Sequence, residues 1–227
     1  MHDLQGLLMR RVRFSQSHIK CILKQLVQAA LDHLEGSSTA RSSSSILSLI
    51  SPSMVTLSSE GVVRLSTISQ EAQRDCGYLS PASLANPGMC PSESSAIFSI
   101  GLIALELFSG ESLFGRVGSH SRQVESLLGL LGYSQLSKYE ASLRSQGLWP
   151  SPALTSRCSK LSLAATLYRK LPKLPKPCQH FIIDLLTKED LLLSELPNHE
   201  YFQSAPQPCE PSELPRIEIP CRFSSYM

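Results

Sequence analysis

Residues Ile97–Phe108 read IFSIGLIALELF. Apart from Ser99 and Glu106 the run is apolar or glycine, so a helix built from it has no polar face. A helix that is apolar almost all round is a buried one, and Gly110 stands where such a helix would stop. The stretch therefore predicts a mainly α fold packed around a central helix.

The flanking segments supply partners for it. Ile19, Ile22, Leu23, Leu26, Val27, Ala30, Leu31 and Leu34 recur at three and four, which predicts one amphipathic helix over 15–34. Ser15 suits its N-cap, and Phe14 with Ile19 suits a hydrophobic staple. A shorter helix is expected over Asp3–Met9. Downstream, Val124, Leu127, Leu128 and Leu131 predict a helix over 121–131. Phe181, Ile182, Leu185 and Leu186 predict another over 178–187, with a short one at 190–196. One small β-hairpin is expected over 54–66. Val55 and Leu57 alternate on one arm, Val63 and Leu65 on the other, and Ser58-Ser59-Glu60-Gly61 has the length and terminal glycine of a four-residue loop.

Three stretches read as connections. Residues 36–45, GSSTARSSSS, are a Ser-rich surface insertion able to accept phosphate. Residues 133–177 read as an irregular insert that ends in KLPKLPKP, a stiff polyproline II lead-in to the next helix, since proline lacks a donor and restrains its predecessor. Its Pro-x-x-Pro spacing also suits an aromatic-lined groove. Residues 204–227 carry five prolines and are expected to form a disordered tail.

Composition limits the function. The 21 basic and 19 acidic residues give a net charge of +2, which argues against nucleic acid as a partner. The seven cysteines include no Cys-x-x-Cys pair, which argues against a disulfide framework or structural zinc and for reduced intracellular thiols. Neither a secretory signal nor a membrane-length apolar run is present. A soluble nuclear or cytoplasmic protein with no membrane partner is the expectation. His18 and His33 read as helix-surface residues. Cys178 and His180 are too close in sequence to face one substrate as a catalytic pair.

The order of elements, with particular residues, resembles the C-terminal lobe of a protein kinase. The likeness is greatest to the cyclin-dependent kinases and their transcription-associated branch. His2-Asp3-Leu4-Gln5-Gly6-Leu7-Leu8 is similar to the hinge exit and the short helix after it. Phe14 to Leu34 is similar to the long helix before the catalytic loop. Ser99-Ile100-Gly101, Glu106-Leu107-Phe108-Ser109-Gly110 and Leu113-Phe114 resemble the central helix and its exit. Asn198-His199-Glu200-Tyr201-Phe202 resembles the closing His-Pro-x-Phe signature, with Glu200 in place of proline. The likeness covers about residues 1–203. It implies that the chain starts at the hinge, without an N-terminal lobe, its Gly-rich loop or its strand-borne lysine.

The resemblance also marks where catalysis would reside. Phosphoryl transfer in this family uses a carboxylate beside the attacking hydroxyl, and an Asn and an Asp on magnesium. Aligned on Pro52-Ser53, the catalytic carboxylate position is Leu49 and the lysine position two residues later is Ser51. The two magnesium positions are Met54 and Thr67. Sliding the register does not restore them, because no Asp, Asn or His occurs from Ile46 to Ser69. Magnesium is usually held through one or two carboxylates, which Leu and Met cannot supply. The family's paired Glu and Arg are both missing as well, with Ala82 at the first position and Lys188-Glu189-Asp190 running directly into Leu191. Asp3 falls where a hinge-exit residue meets the nucleotide ribose, although an acidic residue there equally suits a helix start.

The expectation is a pseudokinase C-lobe with no catalytic residue, no metal ligand and no cofactor, working as a protein-interaction module. A protein partner is implied, and a cyclin-like one is the family's option. The alternative is an active serine/threonine kinase with an incomplete gene model, which would need ATP and magnesium.

Overall fold

The structure, a computed structural model, describes residues 2–36, 50–58, 61–66, 76–88, 92–112 and 119–203. The Ser-rich stretch beyond Gly36, the positions Leu49 and Thr67, and the Pro-rich tail lie outside the described residues.

The chain opens with a two-residue strand β1 (His2–Asp3) and helix α1 (Leu4–Met9), followed by the long helix α2 (Gln16–Gly36). A single 3-10 turn, Pro52–Met54, leads into strands β2 (Val55–Leu57) and β3 (Val63–Leu65). The expected hairpin is present, but it belongs to a three-stranded antiparallel sheet of order β1-β2-β3. His2 lies opposite Leu57 and Asp3 opposite Thr56. A two-residue strand leaves no alternation to read, so its pairing with a segment some fifty residues away is invisible locally.

One side chain fixes this sheet to α2. The Gln25 amide donates to the Gly61 carbonyl at 3.1 Å, and its oxygen accepts from the Val63 N–H at 3.0 Å. Two backbone groups flanking β3 are thereby satisfied by one residue of the helix.

After a 3-10 turn at Cys76–Tyr78 come α3 (Pro81–Ala85) and the central helix α4 (Glu93–Ser109). From Ser95 to Leu107 every α4 residue is buried, and Gly110 ends the helix in the left-handed conformation at φ 68°. Helix α5 (His120–Leu131) matches its predicted span within a residue.

The stretch 133–177 departs from expectation. It is not irregular: it holds α6 (Tyr133–Leu136), α7 (Glu140–Ser145), α8 (Pro152–Cys158) and α9 (Leu163–Lys170). Two of its serines open helices rather than loops. Ser151 and Ser162 accept from the backbone N–H groups of Leu154 and Ala165, and Ser80, Ser92 and Ser119 do the same for α3, α4 and α5. A serine hydroxyl that competes with the backbone inside a helix satisfies an orphan donor at its start.

KLPKLPKP also departs from the polyproline reading. The Leu174 N–H donates to the Leu171 carbonyl at 3.0 Å, closing a turn. Helix α10 (Lys176–Thr187) already includes Pro177 in its first turn, where proline's missing donor costs nothing. The short helix expected at 190–196 is a 3-10 segment, Leu193–Asn198, and α11 (Glu200–Gln203) completes the described chain.

The core forms where α4 crosses α10 and α2. A Cβ built on Gly101 would lie 2.8 Å from Leu186 Cδ2 and 2.9 Å from Leu185 Cβ. A second close approach involves Gly132, where a Cβ would sit 2.0 Å from the Leu161 carbonyl oxygen. Gly101→Ala should therefore destabilise the fold. Overpacking costs ~1–3 kcal/mol, against about 1 kcal/mol gained by alanine over glycine in a helix interior. Urea unfolding should show a lowered midpoint, and a raised one would contradict the close crossing.

Candidate functional site

The positions singled out by the sequence gather around the small sheet. The 3-10 turn Pro52–Met54 runs directly into β2, and β2 carries Asp3 as the cross-strand partner of Thr56. Asp3, Ser51 and Met54 therefore sit on adjoining elements.

Their side chains are occupied in holding the fold. Ser51 is fully buried, and its hydroxyl lies 2.7 Å from that of Ser53. Met54 is only 2% exposed and belongs to the apolar core, while its backbone carbonyl accepts from the Ser66 N–H at 2.8 Å. The Asp3 carboxylate accepts from the Gly6 N–H and so caps α1. An acidic cap at a helix start is favourable both as an acceptor and through the helix dipole.

This donor set does not fit a magnesium-bound nucleotide. A thioether, a buried hydroxyl and a carboxylate committed to a helix cap do not make an octahedral oxygen site. Leu49 and Thr67, outside the described residues, bring an alkyl group and a neutral hydroxyl. Among the described residues no group of three or more His, Cys, Asp or Glu side chains is placed to hold a metal ion.

Two polar arrangements elsewhere were not expected. The first is Glu106, fully buried inside α4. Its carboxylate accepts from the Tyr78 hydroxyl at 2.7 Å and from Ser112 Oγ at 3.3 Å. A lone glutamate within an apolar run was the available signal, since a buried carboxylate demands partners. Neighbouring hydroxyls extend the polar seam: Ser99 Oγ donates to the carbonyls of Tyr78 and Ser95, both at 2.9 Å, and the Ser95 hydroxyl lies 3.1, 2.9 and 3.0 Å from those of Ser80, Ser83 and Ser92. The seam clasps the Cys76–Tyr78 turn and α3 onto α4.

The second is an open cleft of about 510 Å³ lined by His180, Ile183, Asp184, His199 and Glu200. The Tyr201 N–H donates to His199 Nδ1 at 3.0 Å, which leaves the opposite nitrogen, Nε2, to carry the proton in the neutral ring. Nε2 lies 3.5 Å from Asp184, whose carboxylate also takes Lys188 at 2.8 Å. His180 faces Glu200 at 3.1 Å. The cleft's polar side chains are thus already engaged with one another within the chain. Cys178, on the same helix, is buried, and burial pushes its thiol pKa up to about 11. With its thiol held neutral and His180 engaged by Glu200, the two form no nucleophilic pair.

Glu189 lies on the surface, bonded to Lys138 and to the Tyr139 hydroxyl. Burial, followed by the Glu189 hydrogen bond, raises the Tyr139 pKa well above its ordinary value. Ala82 sits within α3 and takes no part in this contact.

No protein-family model matches the chain, and no curated protein matches it.

Two substitutions probe the roles assigned here. Asp3→Ala should lose about 1 kcal/mol of stability by uncapping α1, measurable by chemical denaturation; an unchanged midpoint would free the carboxylate for another task. Tyr78→Phe should cost ~1–3 kcal/mol, because it strips a donor from a buried carboxylate.

Proposed function

We propose that the chain is a catalytically silent relative of the cyclin-dependent kinases that acts by binding another protein. The observation that carries this reading is the use of Ser51 and Met54. Both stand at positions where the resemblance places catalytic and magnesium-binding groups, and both are buried in the scaffold. Asp3, at the ribose position, caps a helix. The scaffold around these positions is intact: the strand pairings, the Gln25 clamp and the central helix all form. A sequence retaining the frame while placing packing residues at the reactive positions supports a binding role over phosphoryl transfer.

A protein of this kind needs neither ATP nor magnesium. Addition of Mg-ATP is expected to leave the thermal unfolding midpoint unchanged. A nucleotide bound at 100-fold above its Kd would instead add ~2.7 kcal/mol of stability. A clear upward shift, together with phosphate transfer to a basic peptide, would replace this reading with that of an active serine/threonine kinase.

A further inference from the structure

The α8–α10 segment concentrates positive charge that the whole-chain balance hides. Between Ser145 and Ile183 the sequence has six lysines and arginines and no carboxylate: Arg157, Lys160, Arg169, Lys170, Lys173 and Lys176. All six are exposed, and among the described residues none takes part in an ion pair. The remainder of the chain holds 15 basic against 19 acidic residues. Charge is therefore unevenly distributed: this segment is wholly basic, while the remainder carries a net excess of acidic residues.

The turn between α9 and α10 arranges three of these cations. Burial there has a period of three. Leu171, Leu174 and Pro177 are partly buried, and the two leucines pack on the core, while Lys170, Lys173 and Lys176 are exposed. Anchoring every third residue inward turns the intervening lysines outward. Pro172, Pro175 and Pro177 restrict the backbone between them, so the lysines are held on a pre-organised frame. Tyr168, 68% exposed on α9, adds an aromatic contact beside the charges.

We propose that this surface, Lys170-Lys173-Lys176 with Arg169 and the exposed Tyr168, docks an acidic, Asp/Glu-rich segment of a partner protein. A short acidic segment can lie on the basic surface without crossing the acidic remainder. A nucleic-acid duplex is a long rigid polyanion that would extend past this surface onto a remainder of net acidic charge. The inference names a surface for the interaction role proposed above. It does not depend on the state of the nucleotide site, so a positive Mg-ATP result would leave it standing.

The test uses the full chain and a fluorescein-labelled Glu-rich peptide in anisotropy titrations. Binding is expected, and it should weaken as ionic strength rises, because exposed charges are screened over a Debye length of ~10 Å at 0.1 M and ~3 Å at 1 M. The triple change K170Q/K173Q/K176Q should weaken binding about tenfold or more, and R157Q/K160Q by a smaller factor. The control K24Q/R122Q, which removes exposed cations elsewhere, should bind as the unaltered chain does. Circular dichroism of each variant reports folding, and R169Q, within the same surface, should also weaken binding and serves if the triple variant unfolds. Absence of peptide binding, or equal binding by the patch variants and the control, would overturn the proposal. So would tighter binding of a DNA duplex or of phosphatidylserine vesicles through the same lysines.

Discussion

The α4–α10 crossing sets the geometry of everything else. Helix α4 is buried from Ser95 to Leu107, so each neighbour must pack against it, and α10 does so at Gly101 with no room for a Cβ. Close approach of two helices lets the side chains on either side interlock at interior density, where even one methylene is felt. From this crossing the chain runs outward in both directions. Helix α2 packs on another side of α4 and carries the small sheet through Gln25. The Leu193–Asn198 segment is tied to the beginning of α4 by the bond from the Leu193 N–H to the Glu93 carboxylate. The sheet that holds Asp3, and the turn that brings Met54 to its edge, are thus positioned by a contact two helices away.

Polar groups inside this frame do structural work. Glu106 and the hydroxyls of Tyr78, Ser80, Ser95 and Ser99 form a seam between α4 and the segments it clasps. Buried polar networks are costly when incomplete and selective when satisfied. The contrast with Ser51 and Met54 is instructive. There the buried groups are neutral and short of acceptors for a cation, so the same burial that stabilises the scaffold leaves nothing to hold a metal.

Much of this was legible before the structure. Strong 3.6-residue periodicity marked α2, α5 and α10, and the unbroken apolar run marked α4, because burial leaves a direct trace in residue type. The hairpin was readable from alternating Val and Leu. What stayed hidden depended on partners distant in the chain or on roles that composition does not separate. Strand β1 exists only through its pairing with β2. The helices between 133 and 177 were obscured because serine marks both loops and N-caps, and Ser151 and Ser162 are caps. The Leu171–Leu174 turn was masked by prolines that resemble an extended ligand. At the candidate site, the residue types of Ser51 and Met54 were legible, but the burial of their side chains came from packing alone. The basic surface was hidden by the averaging of charge over the whole chain.

The close approach at Gly132 bears on that surface. The end of α5 meets the Leu161 carbonyl at the junction of α8 and α9 without an intervening side chain. Backbone contact leaves no flexible linker atoms to absorb rotation, so α9 is registered against the main body rather than tethered to it. The backbone positions that carry the lysines beyond it are consequently fixed in space. A segment that docks there gives up its own conformational freedom and the rotamer freedom of the lysines it meets, but the backbone of the surface has already surrendered its share during folding.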